Sequence, residues 1–290
     1  MFSYPLFKLS VDKLCHNLVF DDQQILNEKE LANRIDQVFT LMMKNIHNSD
    51  DTISQYVKVF INKPYILDLL ISSLLQVDLE SKNKIVHLFC TVLHDPYGRY
   101  FVHSYPLIIY DLFDKYNDPN IGVHVGHIIG VCFQYETMVR IVYYSPLLYV
   151  LMDCVLHENI EICSSALMNL RDILKGFPNL TKNYLLDNHH TFFNRYNRIL
   201  RSSNYIVRRL SITYIYSLLL DHEIIKDIYL KYIYNLKPLI SLLNDTSFQI
   251  KSIALKMVCW FVCTMDKNQR IRVYFDANSE DLYNCIKNIK

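Results

Sequence analysis

Three residues have the types and the spacing to hold a metal ion: His87, Cys90 and His94. On a helix, steps of three and seven residues put them on one face, and imidazole and thiolate are both zinc donors. His124 and His127 repeat the three-residue step. A zinc ion held by protein alone takes four ligands, and neither cluster supplies a fourth. Polar residues lining an open helical face account for both clusters better. Catalytic chemistry finds less. The chain has no GxGxxG, GxSxG or HExxH and no phosphate-binding loop. Asp21-Asp22 and Asp50-Asp51 are adjacent pairs whose carboxylates diverge, and neither opens a calcium loop. No catalytic residue, metal or cofactor is expected, and the chain reads as no enzyme.

What remains is the chemistry of contact. If Tyr205–Asp221 is a helix, a rotation of about 100° per residue gathers Ile206, Val207, Leu210, Tyr214 and Leu218 into a core stripe. Tyr205, Arg209, Ile212 and Tyr216 fall on the other side, with Arg208 at its edge. Arginine among aromatics is the composition of interface hot spots. Arg195, Arg198, Arg201, Arg208 and Arg209 form a basic run that could grip an anion, but the formal net charge is only +1. Nucleic-acid binders show a basic excess, so no nucleic acid is expected.

The 8 cysteines form no CxxC and sit in apolar runs such as Val258–Cys263. They are expected to pack as small hydrophobes in a reducing compartment, which points to the cytoplasm. The first residues, Met1 to Pro5, read without a secretion leader. Ile141–Met152 is the most apolar run, but Pro146 interrupts it and Asp153 closes it. No membrane insertion is expected. Gly122, Gly126 and Gly130, four apart beside His124 and His127, suit close packing between repeats rather than membrane helix packing.

These residues need elements to position them. With 5 glycines and 8 prolines in 290 residues, the chain is poor material for turn-rich sheets and suits helices on short links. Four segments share a polar break followed by an apolar restart, anchored at Ile121, Ile160, Tyr205 and Phe248, and subtraction spaces them 39, 45 and 43 residues apart. Lys82 marks a weaker copy, and Asp118-Pro119 reads as an N-cap followed by proline at the first helical position. Asp245 and Ser202 read as further caps. A period near forty is that of two- or three-helix repeats, whose apolar stripes are buried only by stacking.

The expected fold is all-α, a right-handed armadillo/HEAT-like helical-repeat solenoid. Paired helices are expected over about 64–94, 105–134, 144–175, 189–219 and 236–264. One domain spans 1–290, with an irregular cap over about 1–60, repeats over about 64–264 and a terminal cap over about 267–288.

The order Phe192-Phe193, Asn204-Tyr205, Arg208-Arg209-Leu210-Ser211 and Leu218-Leu219-Leu220-Asp221 resembles the Mo-twenty-five family, also called calcium-binding-protein-thirty-nine. The likeness continues through Leu75–Leu93, Leu156–Leu174 and Leu236–Lys267. The resemblance implies a non-catalytic scaffold that binds and allosterically activates protein kinases or pseudokinases, of the STRAD or sterile-twenty type, through a concave face. Polarity or morphogenesis signalling is the implied setting. By position it implies that Tyr205 and Arg209 contact the kinase and that Ile160 lines the same groove. Lys237 and Ile240 fall near a pocket for a Trp-Glu-Phe tail, Ile240 standing where animal members carry methionine. The competing expectation is an armadillo-type adaptor that holds a peptide and activates nothing.

Overall fold

The structure is a computed structural model describing residues 5–12, 28–44, 56–60, 62, 65–95, 97–98, 105–265 and 268–287. Among these residues there is no strand. Residues 5–12 and 56–60 are helical. The longer helices are α1 (Glu28–Met43), α2 (Tyr65–Ser73), α3 (Leu79–His94), α4 (Ile108–Asp114), α5 (Gly122–Cys132), α6 (Glu136–Tyr143), α7 (Leu147–Cys154) and α8 (Ile160–Gly176). They continue with α9 (Pro178–Leu200), α10 (Tyr205–Asp221), α11 (Glu223–Leu230), α12 (Ile233–Leu242), α13 (Phe248–Val262), α14 (Gln269–Ala277) and α15 (Ser279–Lys287).

The expected pairs are present, with two differences. α9 starts at Pro178 rather than near 189, because proline at the first helical position costs no hydrogen bond there. α6 and α11 add short helices that the forty-residue pattern did not require. The expected amino-terminal cap, about 1–60, lies partly outside the described residues.

The chain forms two compact units, Met1–Leu147 and Leu148–Lys290. In the first, α3 packs between α1 and α5, with α2 and α4 against them. In the second, α10 packs between α8 and α13, backed by α9, α11 and α12. This is a helical-repeat arrangement, and one burial pattern generates it. Counting from the first helical residue, the third, seventh, eleventh and fourteenth positions are buried in α3, α8, α10 and α13. They are Ser81, Ile85, Phe89 and Val92 in α3. They are Ile162, Ala166, Leu170 and Ile173 in α8; Val207, Ser211, Ile215 and Leu218 in α10; and Ile250, Ala254, Val258 and Phe261 in α13. Steps of four, four and three keep these residues on one side of a helix with 3.6 residues per turn.

The frame corrects two anchors. Ile160, Tyr205 and Phe248 are first helical residues and stand 49%, 42% and 62% exposed, whereas Ile121 is fully buried. Ile121, Val125, Ile129 and Cys132 are the buried set of α5, so Pro119 holds the anchor position there. Leu79, not Lys82, holds it in α3. Asp118 does not cap the helix proper: its carboxylate accepts the Asn120 N–H at 2.8 Å and closes a turn, and α5 begins at Gly122.

Helix starts are fixed by side chains. Asp78 accepts the Ser81 N–H at 2.8 Å. Asn159 accepts from Glu161 and Ile162, and Asn204 from Ile206 and Val207, supplying acceptors for N–H groups that have none inside the helix. Ser202 and Asp245 are not the caps themselves but sit two residues before them, accepting the N–H groups of Asn204 and Ser247. Gly122 and Gly126 are buried, as close packing of α5 requires.

Candidate protein-docking face

The face begins with α10, which lies between α8 and α13 in the second unit. Its buried arc is Val207, Ser211, Ile212, Ile215, Leu218 and Leu219. Two features hold it. Tyr196 of α9 donates its hydroxyl to the Ser211 carbonyl at 2.8 Å, and the Ser211 hydroxyl turns back onto the Val207 carbonyl at 2.6 Å. Burial raises the Tyr196 phenol well above its ordinary range, so it stays a donor.

Of the five residues expected on the open side, the structure separates one. Ile212 is fully buried and belongs to the core, because α10 is sandwiched and its buried arc is wider than a single stripe. Conversely Ile206, expected in the core, is 46% exposed, and Leu210 and Tyr214 are half-buried. Tyr205 and Arg209 are exposed on the open side of α10. Ile160 occupies on α8 the position that Tyr205 occupies on α10, as first helical residue. Tyr216 lies further along the helix and is half-buried. Its ring stacks on that of Trp260 from α13, with centroids 5.1 Å apart and planes 9° from parallel. Lys226 of α11 places its ammonium 5.6 Å from the Trp260 ring centroid. Sequence reasoning did not single out Trp260, and it named Phe248 only as a repeat anchor, although the repeat places it at the Tyr205 position.

The basic run is dispersed. Arg195 and Arg198 reach Asp153 at 3.5 and 3.4 Å, and Arg195 also lies over the Tyr149 ring. Arg208 is fixed between repeats: its Nε donates to Asp245 at 2.7 Å, and its Nη1 donates to the Ser202 and Ser203 carbonyls at 2.9 and 2.8 Å. Burial pushes the Asp245 carboxyl up, but the Ser247 N–H and the Arg208 guanidinium outweigh it and hold the carboxyl below its ordinary value. The Arg209 guanidinium, one residue on, has no hydrogen bond or ion pair among the described residues. An uncommitted guanidinium beside exposed aromatic and aliphatic residues is ready to engage a carboxylate or carbonyl of a partner.

Lys237 and Ile240 stand one helical turn apart on α12, exposed and half-buried respectively. Pro238 lies between them and cannot donate to the Tyr234 carbonyl. Asn197 of α9 takes over, donating to that carbonyl at 3.2 Å and to the Asn235 side chain at 2.9 Å. Asn235 in turn donates to the Tyr229 carbonyl at 2.9 Å.

His87 and His94 are exposed and Cys90 is half-buried, and the His94 ring contacts the Cys90 carbonyl. Among the described residues no three of His, Cys, Asp and Glu converge as a metal site would need. No described helix is long and apolar enough to cross a membrane.

A family model described as Mo25-like matches residues 9–290. A degreening-related gene dee76 protein from Auxenochlorella protothecoides is 27% identical over 210 residues, covering 70% of this chain and 65% of that one. A calcium-binding protein 39-like from Mus musculus is 28% identical over 209 residues, covering 70% and 62%. A Mo25-like protein from Schizosaccharomyces pombe is 22% identical over 221 residues, covering 74% and 67%. The chain thus spans 65% and 62% of the length of the first two of these relatives. A crystal structure of an engineered protein overlays 87% of this chain and 68% of its own at 12% identity, with a TM-score of 0.46, too low to bear on function.

Proposed function

The chain belongs to the Mo25-like family, and from that premise we propose that it is a non-catalytic scaffold that docks a protein kinase or pseudokinase and activates it allosterically. The partner class is that of STRAD-like or sterile-twenty-type proteins, the setting is cytoplasmic signalling in polarity or morphogenesis, and the docking surface is the open side of α8, α10 and α13. The observation that carries this reading is the contrast on α10: Arg208 is bound to Asp245 and two carbonyls, while Arg209 beside Tyr205 is exposed and uncommitted.

Activation follows if the face binds the active kinase conformation more tightly than the inactive one, because a ligand shifts an equilibrium only by its differential affinity. Lys237 and Ile240 are proposed as part of a second contact for a peptide tail. The peptide-adaptor alternative would use a ladder of asparagines along a groove. Asn159 and Asn204 already spend their side-chain oxygens capping helices, which weighs against it.

The test is a kinase assay with sterile-twenty-type kinases, with and without the purified chain. Activation on binding supports the reading. Binding that leaves activity unchanged replaces it with the adaptor.

A further inference from the structure

Six cysteines have described side chains, and they divide sharply. Cys132, Cys154 and Cys163 are buried and Cys90 is half-buried. Burial pushes the thiols of Cys132 and Cys154 up to about 12, out of reach of ordinary ionisation. Cys259 and Cys263 are both exposed, contrary to the expectation that the Val258–Cys263 run packs its thiols away. The reason is the burial frame of α13. Val258 and Phe261 occupy its eleventh and fourteenth positions and turn inward, so Cys259 faces out. Cys263 follows one turn later as the helix C-cap.

The two residues therefore lie one helical turn apart on one exposed face of the helix. The Cys263 N–H donates to the Cys259 carbonyl at 3.0 Å, which fixes the helical spacing between them. Side chains four apart on a helix have Cβ atoms about 5–6 Å apart. An unstrained disulfide needs about 3.8 Å, so direct oxidation to one would distort the last turn. A bridging soft cation reaches across instead. With metal–sulfur bonds of about 2.3 Å and a tetrahedral angle, it holds two sulfurs about 3.8 Å apart, each on its own flexible Cα–Cβ–Sγ arm.

We propose that Cys259 and Cys263 form an open two-thiolate site for a soft divalent cation of the zinc class. On binding, each thiol gives its proton to water and each sulfur donates a pair to the ion, so one cation enters, two protons leave and nothing is oxidised or reduced. Among the described residues no third His, Cys, Asp or Glu converges there, and the proposal assigns the remaining coordination positions to water. The site is thus exchangeable rather than structural. Trp260, the only tryptophan in the chain, sits between the two cysteines in sequence and stacks on Tyr216, so it reports on the site. The inference stands whether or not the kinase reading holds.

The test titrates Cd2+ into the reduced 290-residue chain, following the thiolate-to-cadmium charge-transfer band and Trp260 fluorescence, with Zn2+ as competitor. The expected result is one Cd2+ per chain, displaced by Zn2+, with Cys259→Ser and Cys263→Ser each weakening it by about tenfold or more. Cys90→Ser is the control and leaves it unchanged. Far-UV circular dichroism checks that the serine variants stay helical. The proposal is overturned if the wild type gives no charge-transfer band, or if the band survives in the double serine variant.

Discussion

Arg208 and Arg209 are adjacent in sequence and opposite in role. The Asp245 side chain is only 4% exposed and has Arg208 as its charge partner. Arg208→Ala strands that carboxylate and should cost about 2 kcal/mol in chemical denaturation. Arg209→Ala removes an exposed side chain without a described partner and should stay within about 0.5 kcal/mol of wild type. The pair also carries a pH signature. Because the folded carboxyl lies below its unfolded value, its contribution is complete above about pH 4 and drains away as pH falls through the folded value. Asp245→Asn should therefore show a shallower loss of stability than wild type as a urea midpoint is followed from about pH 5 to pH 2. An equal slope would mean that the ion pair contributes nothing. A helical wheel placed Tyr205 and Arg209 outward, but it could not place Ile212 or Ile206. The width of the buried arc is set by α8, α9 and α13, which come from elsewhere in the chain.

The elements were legible where local chemistry writes them. Asn159 and Asn204 cap because their oxygens reach the first free N–H groups, and Asn204→Ala should cost about 1 kcal/mol in thermal or urea unfolding. Register was harder. Ile121 looks like an anchor because it is apolar after a polar break, yet the turn closed by Asp118 shifts the frame by two residues and buries it. The support for Pro238 was invisible, since Asn197 meets the Tyr234 carbonyl from a different helix. Asn197→Ala should cost about 2 kcal/mol by leaving that carbonyl and the Asn235 side-chain oxygen short of a donor. Adding Pro238→Ala returns a backbone N–H to the Tyr234 carbonyl and should recover about 1 kcal/mol. A double-mutant cycle in urea measures this coupling, and strict additivity would show that the two residues do not share the carbonyl.

At the scale of the molecule, one device recurs: α3 in the first unit and α8, α10 and α13 in the second are buried on the same four positions. That device was readable as a forty-residue period because stacking imposes the same demand on every copy. The proposed docking face was only half readable. Tyr205, Arg209 and Ile160 follow from period and resemblance, but the Tyr216–Trp260 stack joins two repeats and had no local sign. The central claim is that this face, through Arg209, binds a kinase. The most direct measurement is the affinity of a sterile-twenty-type kinase domain for wild type and for Arg209→Ala, with folding stability measured on the same samples. The account predicts a loss of about 2 kcal/mol or more in binding with stability unchanged. Undiminished binding by Arg209→Ala would contradict it.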